Sequence, residues 1–81
     1  MFYTYILRSK KHGRHYIGST TDLRTRVLKH NQGGVRSTKG ATPWEIIYYE
    51  AHRTKALAIL AERHYKTGQG RRQLDKKLGY V

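Results

Sequence analysis

The residues best suited to chemistry are an arginine, a histidine, a glutamate and two tyrosines. Arg26 and His30 stand four apart in TDLRTRVLKH, a spacing that one helical turn places on the same side. With Leu23 taken as the inward direction, steps of about 100° per residue turn Leu23 and Val27 to the core and leave Arg26 and His30 on its edge. Arg24 and Lys29 point elsewhere. The pattern fits an amphipathic helix whose basic residues snorkel from its rim, and it fits a functional site at the border of the core. Helix geometry alone favours the former. Glu62 is one of five acids and follows the ALAILA run directly, near Ile59 and Lys66. A carboxylate at the border of an apolar surface costs desolvation unless a cation meets it. That cation is either a neighbouring side chain, Lys66 or Arg63, or a hard metal such as Mg²⁺, held by one or two carboxylates plus water and substrate phosphate. Taken by itself, the ion pair is the simpler reading. Tyr5 and Tyr16 fall on two strands of an expected hairpin as possible cross-strand neighbours. Such a pair serves either as aromatic packing or as phenols that bind a phosphate and relay a proton from water.

The elements that must position these groups follow from pattern. Residues 2–8, FYTYILR, are aromatic and branched on both alternating faces, which predicts a strand covered on both sides. Lys10 to Gly13 is turn material, and Arg14 to Ser19 returns as a second strand of an antiparallel hairpin. Gly18 frees the backbone where the strand hands over to a helix, which Thr20 or Thr21 caps and which Asp22 favours through its dipole. Asn31 to Gly34 ends that helix. Residues 32–43 form a polar loop of a length that is often functional. Residues 44–50, WEIIYYE, are a third strand, and Thr54 caps a second helix running to about Thr67. Its ALAILA run is apolar all round, so this helix is expected to be the most buried. Gly68 and Gly70 break it. A last basic helix, RRQLDKKL, has only Leu74 and Leu78 to dock with and is the element expected to fray.

Eighty-one residues predict one domain, 1–81, without room for a second core. The net charge of +12, from 17 lysines and arginines against five acids, is the footprint of a protein that meets a polyanion. The bases run along the whole chain. The expected phosphate contacts are Lys10, Lys11, Arg14, Arg24, Lys29, Arg36, Lys39, Arg71 and Arg72. DNA is the expected partner, with RNA as the alternative. No segment joins a basic face to a large apolar one, so no membrane partner is expected. The absence of cysteine excludes a disulfide framework and a thiolate metal site and predicts a cytoplasmic protein. The N-terminal charge follows the apolar stretch, the reverse of a secretory signal. His12 and His15 lack a third ligand nearby for a metal, and His52 and His64 read as surface or packing residues. The chain has no Walker loop, dinucleotide fingerprint or serine-hydrolase elbow.

Taken together, these residues resemble the GIY-YIG endonuclease family, and within it the small single-domain bacterial members. Tyr16, Ile17 and Gly18 are the second half of its signature as it stands. The first half appears as Tyr3, Thr4, Tyr5, with the family's glycine and isoleucine replaced. A helix with Arg26 and His30, a third strand and a helix with Glu62 then follow in the family's order. The resemblance implies an α/β fold, a three-stranded antiparallel sheet flanked by helices in the order β-β-α-β-α-α. It implies a metal-dependent DNA endonuclease or nickase, serving repair or recombination. Glu62 would ligate Mg²⁺ or Mn²⁺, Arg26 would hold the scissile phosphate, Tyr5 and Tyr16 would orient or activate water, and His30 would assist. Which tyrosine is the general base stays open. A phenol with a pKa of about 10 needs cations to lower it, and Arg26, the metal and the net charge are expected to do so. Many members carry an asparagine after the glutamate helix. Residues 67–81 contain none, and Gln69 or Gln73 is the nearest substitute. The alternative function is a nucleic-acid-binding module of the same fold with little or no turnover. The altered first motif, the missing asparagine and the high charge favour it; the set Tyr5, Tyr16, Arg26 and Glu62 favours the enzyme.

Overall fold

The computed structural model describes residues 1–79. Strand β1 (Phe2–Ser9) runs between β2 (His15–Thr20) and β3 (Trp44–His52) in an antiparallel sheet of order β2-β1-β3. Helix α1 (Leu23–Asn31) follows β2, and α2 (Lys55–Tyr65) and α3 (Gly68–Lys77) follow β3. The expected β-β-α-β-α-α order is the observed one. β1 is buried on both faces because helices cover each side, which explains its lack of a polar face. Tyr5 and Leu7 pack with Ala41 and Trp44 beneath Leu23 and Val27 of α1. Ile6 points the other way, into a cluster with Ile17, Tyr65 of α2 and Leu74 of α3.

The local signals decide most boundaries. Asp22, and not Thr20 or Thr21, caps α1: its carboxylate accepts the Thr25 N–H at 3.1 Å. Thr20 instead braces the cap residue, its hydroxyl accepting the Asp22 N–H at 3.1 Å. Thr54 caps α2 as expected, accepting from the Leu57 N–H at 3.2 Å. The helix ends at Tyr65 because Thr67 is already the cap of α3, accepting from the Gly70 N–H. Gly68 and Gly70 therefore open α3; they do not precede it. A Cβ on Gly70 would lie 1.8 Å from the His64 carbonyl oxygen, so only glycine lets the two helices meet at this corner.

The all-round burial expected for ALAILA is not found. Leu57 and Leu60 are 47% and 59% exposed, and only Ala58 of that run is buried. A sheet of three strands is too narrow to cover more than one side of a helix. The loop at 32–43 is also more ordered than expected, with a single 3-10 turn over Lys39–Ala41. The Ser9 hydroxyl donates to the Ala41 carbonyl at 2.6 Å, and the Asn31 side chain pairs with both backbone groups of Trp44.

The last helix has more than Leu74 and Leu78 to hold it. Glu50 on β3 accepts hydrogen bonds from Tyr48 at 2.6 Å, from Tyr65 and from Lys77 of α3 at 3.0 Å. Lys77 also donates to the Tyr65 hydroxyl at 2.8 Å. Burial alone would raise the Glu50 carboxyl; the donors outweigh it and hold it below the ordinary carboxylate range. The same proximity and burial push the Tyr48 phenol up to about 12.

Candidate active site

Hydrogen bonds tie three of the five candidate catalytic residues together on the α1 face of the sheet. Tyr5 is 0% exposed, and its hydroxyl lies 3.0 Å from His30 Nε2 and accepts from Arg26 Nε at 3.3 Å. His30, fully buried at the end of α1, has its Nδ1 2.8 Å from the Thr38 hydroxyl. That hydroxyl is also 3.3 Å from the Val35 carbonyl, which can only accept. One assignment gives every hydrogen an acceptor. Arg26 Nε–H donates to Tyr5, Tyr5 O–H donates to His30 Nε2, His30 Nδ1–H donates to Thr38, and Thr38 donates to the Val35 carbonyl. Arg26 and His30, one turn apart on α1, thus clasp a single phenol from the central strand.

Tyr16 is not directly opposite Tyr5. The register pairs Tyr5 with Gly18 and Leu7 with Tyr16. Tyr5 and Tyr16 are diagonal neighbours with ring centroids 6.3 Å apart, and Tyr16 meets the His30 ring edge-on at 4.8 Å. Gly18 is the reason the phenol of Tyr5 fits. A Cβ there would lie 2.6 Å from the Tyr5 hydroxyl, 2.7 Å from its Cζ and 3.0 Å from Tyr16 Cε2. The glycine of the YIG triplet is the floor on which Tyr5 lies.

Burial sets the electrostatics. It raises the Tyr5 phenol above its ordinary value, outweighing the lowering hydrogen bond from Arg26. Burial also lowers His30, helped by the charges of Arg26 and Lys29, and keeps the imidazole neutral. Arg26 is raised, first by its bond to Tyr5. Glu62 lies close enough for its charge to act on both Tyr5 and Arg26. Its carboxylate is bonded to Lys66 one turn on at 2.8 Å, with the glutamate side chain 23% exposed. The ion-pair reading of Glu62 is therefore the one its contacts show.

A family model described as the GIY-YIG catalytic domain matches residues 1–76. The chain belongs to the GIY-YIG family. It is 38% identical over 65 residues to a UPF0213 protein of Streptococcus pneumoniae, covering 79% of this chain and 65% of that one. It is 39% identical over 67 residues to a UPF0213 protein of Streptococcus pyogenes serotype M5, covering 82% of this chain and 70% of the relative. The chain thus spans about two thirds of the length of these relatives. A solution structure of a UPF0213 protein from Bacillus halodurans, 34% identical, superposes with a TM-score of 0.56 over 94% of this chain and 84% of that one.

Lys10, Lys11, Arg14, Arg24, Lys29, Arg36, Lys39, Arg71 and Arg72, the expected phosphate contacts, are all exposed, and the charge of Lys29 acts on His30. Lys10 sits 3.9 Å from Glu45. Gln73, a candidate stand-in for the family's asparagine, has its Oε1 2.8 Å from His64 Nε2. Among the described residues no group of three or more His, Cys, Asp or Glu converges to hold a metal. No helix among them is long and apolar enough to cross a membrane. Thr38 and Trp44 escaped sequence reasoning. Thr38 ends the hydrogen-bonded chain and Trp44 donates its indole N–H to the Thr38 carbonyl at 2.9 Å, but nothing in the sequence besides the loop's length marks either.

Proposed function

We propose that this chain is a divalent-metal-dependent endonuclease or nickase that hydrolyses DNA phosphodiesters, with a role in repair or recombination. The observation that carries the reading is the Arg26–Tyr5–His30–Thr38 chain, formed within reach of the Glu62 charge in a GIY-YIG catalytic domain. Hydrolysis makes a bond from water oxygen to phosphorus, breaks one ester P–O bond and gathers negative charge on the phosphoryl oxygens. A guanidinium stabilises that charge. Tyr5 takes only the Nε–H of Arg26, which leaves the terminal nitrogens of the fork for phosphate. Tyr5 is therefore a positioning residue: it is sealed from solvent and its own proton is committed to His30. We assign the attacking water to Tyr16, half-buried on β2 beside the same histidine, whose hydroxyl would orient it by a hydrogen bond while the proton that the water gives up ends on the leaving ester oxygen.

Glu62 is the residue that would hold the metal. One partly exposed carboxylate suits Mg²⁺ or Mn²⁺ bound largely through water and substrate phosphate. When bound, that ion supplies Lewis-acid stabilisation of the phosphoryl oxygens. The test is cleavage of supercoiled, single-stranded and branched DNA in Mg²⁺ or Mn²⁺, wild type against Glu62→Ala, with binding followed in parallel. Cutting by wild type alone, with equal binding, supports the assignment. Equal binding with no cutting by either favours the second reading, a nucleic-acid-binding module. Two observations already speak for that reading: Glu62 is paired with Lys66, and Gln73 is engaged by His64.

A further inference from the structure

On the face of β2 opposite Tyr16, a cleft of about 360 Å³ opens between the start of β2 and α3. Its floor is Ile17 and Leu74, both in the core, and its walls are Arg14 and His15 from the hairpin and Arg71 and Asp75 from α3. Among the described residues, neither Arg14 nor Arg71 has a carboxylate within 4.0 Å. Both arginines are exposed on the cleft rim. Arg8, the register partner of His15 on β1, adds its charge from beneath. Burial lowers His15, as do the charges of Arg8 and Arg71, while Asp75 opposes them. Arg14 and Arg71 thus face one carboxylate, Asp75, around a cavity with an apolar floor, while Arg8 is itself met by Glu45 at 3.8 Å.

We propose that this cleft is a second backbone-phosphate site, which seats the nucleic-acid strand where it crosses the open edge of β2. The proposal rests on the nuclease reading for the identity of the strand, and its chemistry is that of a phosphodiester against a guanidinium pair. β2 has β1 on one side only, so its other edge is free to face a ligand. A strand whose scissile phosphate meets Arg26 would place a later or earlier phosphate between Arg14 and Arg71. Asp75 then opposes binding, which gives the site a signature that a merely folded surface lacks.

The test is the salt dependence of binding to a 20-base-pair duplex in EDTA, so that nothing is cut, with Arg14→Gln, Arg71→Gln, the double variant and Asp75→Asn. Each arginine variant should lower the slope of log K against log salt by about 0.9, and the double variant by about twice that. Asp75→Asn should bind several-fold more tightly, a gain that misfolding cannot produce. Arg53→Gln, exposed and off the cleft wall, should leave the slope unchanged. An equal loss with Arg53→Gln, or an Asp75→Asn variant that binds no better than wild type, overturns the site. Cleavage by wild type with unaffected slopes would remove the cleft and leave the nuclease. Cleft-dependent binding with no cleavage of any substrate would do the reverse.

Discussion

Gly18→Ala is the perturbation that separates a motif from a mechanism. The added methyl would fall 2.6 Å from the Tyr5 hydroxyl and 2.7 Å from its Cζ. Comfortable contact begins near 3.5 Å, so the phenol must withdraw by about 0.9 Å. It has nowhere to go, since Tyr5 is wholly buried between Leu7, Trp44 and His30. A displacement of that size stretches the 3.0 Å bond to His30 and the 3.3 Å bond from Arg26 beyond hydrogen-bonding range.

Overpacking of this kind costs about 1–3 kcal/mol. In a domain of this size, each kcal/mol is worth roughly 4–8 °C of melting temperature. Gly40→Ala is the control, because a Cβ there meets nothing within 4 Å. Thermal melting of both variants should show Gly18→Ala well below wild type and Gly40→Ala within about 0.5 kcal/mol of it. Adding Tyr5→Phe to Gly18→Ala removes the atom at 2.6 Å, so the double variant should be more stable than the sum of the two singles predicts. Equal melting of the two glycine variants, or strict additivity in the cycle, would refute the claim that Gly18 exists to seat Tyr5.

Three further outcomes follow from the same contacts. Tyr5→Phe leaves His30 Nε2 buried without a partner and should cost about 1–3 kcal/mol by urea unfolding, whereas Tyr16→Phe should leave stability nearly unchanged and slow DNA cleavage by about 10²-fold or more. Stability should fall as pH drops below the ordinary imidazole value of 6.5: His30 and His15 are held below it in the fold, so the unfolded chain binds the extra protons. Urea midpoints between pH 8 and 5 would read this, and a flat profile would contradict it. Lys77→Met removes one donor from the half-exposed Glu50 cluster and should cost about 1–2 kcal/mol. Glu50 then loses part of what holds its carboxyl down, so the acid arm of the stability curve, present above the ordinary carboxylate value of 4.5 and lost below it, should move to higher pH.

The order of elements was legible because each rests on a local signal. Alternation in FYTYILR, capping at Thr54 and the spacing of Arg26 and His30 need only near neighbours to be read. What stayed hidden depends on distant partners. ALAILA looks like a buried helix until the sheet beneath it proves to be three strands wide. Asp22 displaced Thr20 and Thr21 as the cap because a carboxylate can accept from both the Thr25 N–H and its hydroxyl. The two tyrosines are separated by two register positions, which residue spacing cannot set when the turn geometry is unknown. Burial dominates the shift of Tyr5, since the cation that lowers it acts on a phenol already stripped of water. The candidate site was half legible. Its side chains were named from their types, but Thr38 came from a loop with no periodicity, and its role depends on where His30 points.

The distribution of acids explains why one edge of the sheet suits a polyanion better than the other. β3 carries two of the five acids: Glu45, within 4 Å of Arg8 and Lys10, and Glu50, bonded to Lys77. Much of the positive charge near that edge is therefore already answered by protein carboxylates, and Ile46 and Tyr49 leave it partly apolar. β2 carries no acid at all. The carboxylates beside it are Asp22, just past its end and capping α1, Glu62, paired with Lys66, and Asp75, at the wall of the cleft. A polyanion approaching a body of charge +12 is drawn to the surface where cations are least neutralised. By that reasoning it settles along β2, with Gly18 and Tyr16 on one side of the strand and His15 and Arg71 on the other. On the proposed reading the signature triplet Tyr16-Ile17-Gly18 would lie at the crossing point: Tyr16 would face the chemistry, Ile17 floors the cleft beside Arg71 and Gly18 seats the phenol that holds Arg26 in place.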